Sequence, residues 1–244
     1  MTYCVGMKLE SGLVFMSDTR TNSGVDNIST FRKMHSFEKP GERYITIMTA
    51  GNLATTQSVI SMLAERTKAP EERNPSILAA ASMFQVAQII GDLLRETIRT
   101  REQTGLNAET TFNATLIVGG QIKGMEPRLF MIYPEGNFIE ASDDTPFFQI
   151  GETKYGRPIL VRGFQSDMSF ESAVKLLMVS FDSTMAANLS VALPLDMLLL
   201  PRDRFEPLQK RRIAEDDPYY RSVSDKWSDA LRSAFHSLPD YTIE

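Results

Sequence analysis

Residues 2–24, TYCVGMKLESGLVFMSDTRTNSG, decide how this chain folds. Two β-prone runs, 2–9 and 13–17, flank the turn Glu10-Ser11-Gly12, and the stretch predicts an antiparallel hairpin. Antiparallel pairing returns the end of the second strand to the start of the first, which places Asp18 beside Thr2. The first strand starts at residue 2, where chains are more often loose and polar.

Outward from the hairpin, further strands are expected over 32–37 and 44–49, with KPGE as a turn between them. The period then changes to helical over 53–66. A second helix is expected from Pro75 to about Arg99, where two apolar stripes imply cover on both sides, either by a sheet and a neighbouring subunit or wholly within the monomer. Strands return over 111–118, 129–133 and 138–141, with Gly119-Gly120 and Pro134-Glu135-Gly136 as turns. Helices over 154–161 and 169–183 precede a last strand over 189–193. Strands and helices come in blocks, so the expected class is α+β: a four-layer αββα sandwich of two antiparallel sheets flanked by helices. One domain is expected over 1–200, with a C-terminal polar extension over 201–244 that carries a short amphipathic helix around Trp227.

Composition narrows the function. With 42% hydrophobic and 23% charged residues, the chain can bury a core without staples. The net charge of −5 argues against nucleic acid, and Lys210-Arg211-Arg212 reads as a solvated mixed face because Glu215-Asp216-Asp217 follows it. The single Cys4 excludes an internal disulfide and reads as a buried small hydrophobe. No leader precedes Thr2 and no window is apolar enough to span a membrane, so a cytoplasmic location is expected. Two histidines, His35 and His236, supply no metal cluster.

The chemistry must therefore come from elsewhere. Removal of Met1 would give Thr2 a free α-amine beside its hydroxyl, and such an amine can act as the base for its own side chain. An α-amine titrates near roughly 7.7–8.0, close to neutrality. Asp18 and Lys33 would pair beside it, and Gly51, at a strand-to-helix corner, would offer a backbone N–H to an oxyanion.

In this order TYCVG, SDTRTNSG, RK and TAGNLA resemble the β-type subunits of proteasomes, among the N-terminal nucleophile hydrolases. GETKYGRPIL and FDSTMAANLSVALPLDM narrow the resemblance to the bacterial proteasome-related Anbu (ancestral β-subunit) family, over about residues 2–200. The resemblance implies Thr2 as nucleophile, Asp18 and Lys33 as its supporting pair, Gly51 as oxyanion donor and Asp182 as support for the amine. It implies substrate pairing along Arg20-Thr21-Asn22, with Thr21, Thr49 and Leu53 lining the first specificity pocket. Asp182 is equally an end-of-helix polar residue, and Glu152 reads as a helix first-turn acid. Gly151-Glu152-Thr153 and Met185 depart from the family pattern.

The implied activity is a threonine-type peptidase that needs no cofactor or metal and acts on peptides or unfolded protein. It would work in a homo-oligomeric ring or open helical assembly, with any unfoldase a separate protein. Alternatives are a small-amide hydrolase or acyltransferase with the same nucleophile, and a non-catalytic assembly subunit.

Overall fold

Tyr3–Leu9 (β1) and Gly12–Asp18 (β2) form the expected hairpin, with Cys4 opposite Ser17 and Leu9 opposite Gly12. Both strands are buried on two faces, which explains why they read as continuous apolar runs. Tyr3, Val5 and Met7 point into one core, whereas Cys4, Leu13 and Phe15 point into another. The computed structural model describes residues 2–22, 28–68, 75–104 and 111–243. Met1 lies outside them.

The remaining strands are β3 (Arg20–Asn22), β4 (Ile28–Thr30), β5 (Met34–Lys39), β6 (Arg43–Gly51), β7 (Ala114–Ile122), β8 (Arg128–Ile132), β9 (Phe138–Glu140), β10 (Phe147–Gly151), β11 (Leu195–Pro201) and β12 (Gln209–Ile213). The helices among the described residues are α1 (Leu53–Lys68), α2 (Met83–Thr104), α3 (Arg157–Gly163), α4 (Phe170–Ala187) and α5 (Pro218–His236). One five-stranded sheet runs β10-β1-β2-β11-β12 and the other β5-β6-β7-β8-β9, with every pairing antiparallel. Strands β3 and β4 form a separate ribbon.

Three apolar clusters hold the layers together. Phe15, Met48, Ile117 and Leu129 fill the space between the sheets. Val59, Leu63, Val86, Ile90 and Leu94 seat α1 and α2 on the second sheet. Leu160, Leu177, Phe181 and Tyr220 seat α3, α4 and α5 on the first. This is the four-layer αββα sandwich.

Several local expectations change. The second helix starts at Met83, because Ser82 accepts the Gln85 N–H while the Gln85 side chain accepts the Ala81 N–H. The carbonyls of Ile77 and Ala80 are instead held by the buried Arg43 guanidinium. Both apolar stripes of α2 are largely buried within the chain, so no neighbouring subunit is needed to cover them. Gly119-Gly120 lies inside β7, not at a turn; a Cβ on Gly119 would stand 2.7 Å from the Phe15 ring, so the glycine lets the sheets approach. The strand expected over 189–193 lies instead at Leu195–Pro201 (β11), in the sheet of the opening hairpin, and β10 is an additional strand. The polar stretch after Pro201 contributes β12 to the main sheet, and its helix α5 runs for 19 residues.

Candidate active site

The hairpin delivers Asp18 to the start of β1, where its Oδ1 accepts the Tyr3 N–H at 2.9 Å. Lys33, in the link before β5, donates from Nζ to the same oxygen at 2.8 Å and to the Arg20 carbonyl at 2.5 Å. Its own carbonyl accepts the Thr49 N–H at 3.0 Å, tying the lysine to β6. Asp18 is fully buried and Lys33 nearly so. Burial pushes the Asp18 carboxyl up to about 6, against the opposing pull of the Lys33 charge and the Tyr3 N–H. Its Oδ2 has no hydrogen-bond partner among the described residues, consistent with the strength of that burial. The adjacent Cys4 thiol is pushed up by burial and then by the Asp18 charge, so it stays a neutral core group.

Thr2 stands at the mouth of this arrangement. Its carbonyl accepts the Glu152 N–H at 2.6 Å, an extension of the β1–β10 ladder. Gly151 has φ +84°, and a Cβ there would stand 1.9 Å from the Thr2 carbonyl oxygen, so only glycine allows this approach. Gly51 closes β6 with φ +112° and leads into Asn52, whose side chain accepts the Thr55 N–H and caps α1.

A cavity of about 30 Å³ brings Thr2, Thr21, Lys33, Thr49, Gly51 and Leu53 together, with Arg32, Ala50 and Thr56 completing the wall. A single water needs about 10–15 Å³ of such space, so the cavity is a small recess with room for about two waters. The larger cavity of about 760 Å³ between α1 and α2 gathers none of Thr2, Asp18, Lys33 and Gly51.

The other expected residues are placed as follows. Arg20 donates its side chain to the Leu189 carbonyl, and its backbone belongs to β3. Asn22 ends β3 opposite Ile28, so one edge of the Arg20-Thr21-Asn22 strand is already occupied. Asp182 does not line the cavity: its Oδ1 accepts from the Tyr220 hydroxyl at 3.1 Å and the Ser224 hydroxyl at 2.6 Å, both on α5. Burial, reinforced by the Asp182 charge, pushes the Tyr220 hydroxyl up.

Glu152, expected as a helix first-turn acid, lies instead beside Thr2, and its partner Asn188 was not singled out in the sequence. Glu152 is nearly buried and is not part of a helix; its Oε2 accepts from Asn188 Nδ2 at 2.9 Å and its Oε1 from the Lys154 N–H at 3.3 Å. Recognising β10 in FFQIG would have placed Glu152 beside Thr2. Asn188, at the C-terminal cap of α4, carried no comparable signal. Among the described residues no group of histidine, cysteine and carboxylate side chains is arranged to hold a metal, and no helix is long and apolar enough to cross a membrane.

Comparison with known proteins agrees with this geometry. The proteasome subunit family model matches residues 2–191. A proteasome subunit beta of Methanopyrus kandleri is 25% identical over 175 residues, covering 72% of this chain and 75% of that protein. The structure of Anbu (ancestral beta-subunit) from Yersinia bercovieri is similar at 48% identity and TM-score 0.92, covering 100% of both chains. That of the helical assembly of the Anbu complex from Pseudomonas aeruginosa is similar at 45% identity and TM-score 0.92, covering 99% of this chain and 98% of that one. With the sandwich, the β1–β2 hairpin and the Thr2 cavity in place, these matches show that the chain belongs to the proteasome subunit family and, within it, to the Anbu proteins, proteasome-like N-terminal nucleophile hydrolases.

Proposed function

We propose that this chain is a threonine-type peptidase that acts once Met1 is removed. The observation that carries this reading is the convergence of Thr2, Lys33 and Gly51 on one cavity, with Asp18 buried behind the lysine. In the proposed reaction the Thr2 α-amine takes the proton from Oγ, and Oγ attacks the peptide carbonyl. The nearby Lys33 ammonium disfavours a protonated amine and so favours the form that can accept a proton. The oxyanion would be met by the Gly51 N–H, a kind of contact worth about 2.7–4 kcal/mol in other hydrolases. Collapse transfers the amine's proton to the leaving nitrogen and leaves an ester on Thr2. Water, deprotonated by the same amine, then releases the acyl group.

Substrate backbone would run beside Thr21 and Asn22, and Thr49 and Leu53 would meet the first side chain. No cofactor enters any step. Asp182 has no role in this scheme, because its contacts are with α5. The Pseudomonas aeruginosa relative forms a helical assembly, and homo-oligomerisation of this chain is part of the proposal. A separate unfoldase and a cytoplasmic setting complete it.

The test is mass spectrometry of the purified chain, followed by treatment with a peptide epoxyketone. That reagent closes a ring only where a free amine and a hydroxyl share one residue. A mature chain lacking Met1, with an adduct at Thr2 that disappears in Thr2→Ala, is the expected result. Retained Met1 with no adduct would leave a non-catalytic assembly subunit.

A further inference from the structure

Arg32 forms part of the wall of the Thr2 cavity. The same residue forms part of a second cavity of about 300 Å³, whose other charged walls are Asp196 and the β12 residues Lys210, Arg211 and Arg212. Its charges do not cancel. Arg212 holds Asp196 in a two-point pair, with Nε 2.7 Å from Oδ1 and the second nitrogen 2.8 Å from Oδ2. Arg211 pairs with Asp217. That leaves Arg32 and Lys210, both exposed, with no carboxylate partner among the described residues; Lys210 reaches only the Ser36 hydroxyl, at 3.4 Å. His35 beside the groove is pushed down to about 4, first by burial and then by the Arg32 charge, while a backbone hydrogen bond with Arg32 and the Asp196 charge oppose the shift and Lys210 adds slightly to it.

We propose that this groove is a substrate subsite for acidic side chains, and that Arg32 and Lys210 select peptides carrying Asp or Glu close to the bond under attack. The inference rests on the peptidase reading for its chemistry, but the groove's binding preference can be measured without any chemistry. An extended peptide advances about 3.3 Å per residue, so a chain lying across the Thr2 cavity presents a neighbouring side chain to a wall that Arg32 shares. Two exposed ion pairs are individually weak, and together they give discrimination of about fivefold to tenfold that falls as salt screens it. The Lys210-Arg211-Arg212 run, which in sequence reads as a solvated mixed face, thereby gains a role.

The experiment compares three labelled eight-residue peptides that differ only in carrying two Glu, two Gln or two Lys. Their binding to the Thr2→Ala chain is followed by fluorescence anisotropy at about 0.05 M and about 0.5 M salt. The Glu peptide is expected to bind about fivefold to tenfold tighter than the Gln peptide at low salt, and the Lys peptide weakest. In Arg32→Glu/Lys210→Glu the order should invert; in Arg32→Gln/Lys210→Gln it should flatten. Equal affinity for all three peptides, or an order that survives charge reversal, overturns the proposal. In parallel, epoxyketones bearing Glu or Gln beside the electrophile are applied to the mature wild-type chain. Glu selectivity in binding with no adduct at Thr2 would remove the peptidase and keep the acidic-peptide groove. Adducts at Thr2 with no selectivity in binding would remove the groove and keep the peptidase.

Discussion

Lys33 and Asp18 form a buried ion pair, with Nζ 2.8 Å from Oδ1, directly behind the cavity that Thr2 faces. Removing one member of such a pair strands the other charge in the interior. Lys33→Ala is expected to cost about 3–5 kcal/mol of stability and to abolish adduct formation at Thr2. Denaturant unfolding measures the first and intact-mass spectrometry the second. A variant that keeps wild-type stability would show that the pair is not structurally coupled to the fold.

Acid should switch the site off through Asp18. The carboxyl is raised to about 6, so it is ionised above that pH and neutral below it. Only the ionised form pairs with the Lys33 ammonium. The rate of Thr2 acylation is expected to fall about tenfold per pH unit once the α-amine protonates, and to steepen to about a hundredfold per pH unit below roughly 6, where Asp18 protonates as well. Rates measured between pH 5 and 8 check this, and a slope unchanged through pH 6 would contradict it.

Gly51→Ala tests the oxyanion corner. The residue has φ +112°, and an added Cβ would stand 2.4 Å from the Asn113 carbonyl oxygen, so the backbone must shift. A loss of about 1–3 kcal/mol in stability is expected, together with a fall of about 10²–10³ in acylation rate. Thermal unfolding and the kinetics of adduct formation separate the two effects.

Asp182→Ala should behave in the opposite way. Its carboxylate is engaged by Tyr220 and Ser224, so the loss should appear as loosening of α5. Faster hydrogen exchange over Pro218–His236 with unchanged labelling of Thr2 is expected. Loss of labelling without loosening would return Asp182 to the site.

Gly119→Ala probes the core alone. Its Cβ would press on the Phe15 ring at 2.7 Å and cost about 1–3 kcal/mol by overpacking. For a chain of this size, that lowers the melting temperature by about 2–4 °C per kcal/mol. Thr2 labelling should persist below the new transition.

How much of this was legible in the sequence depends on the range of each cause. The opening hairpin, the strand ending at Gly51 and the α4 stripe follow from two-residue and 3.6-residue periods, which act between near neighbours. The hairpin alone set Asp18 beside Thr2, whereas Lys33 and Gly51, just before β5 and at the end of β6 in the other sheet, were placed with them by the family resemblance. Chain order also implied two stacked sheets.

What only the tertiary structure decided is where distant strands meet. Pairing of β10 with β1 sets Glu152 beside Thr2, and Asp182 is engaged by α5 lying on α4, outside the Thr2 cavity. Pairing of β12 with β11 brings Lys210 onto the groove that Arg32 shares with the Thr2 cavity. Local periodicity carries no record of such partners. They are selected by burial of whole sheet and helix faces, a property of the assembled layers and not of any short stretch.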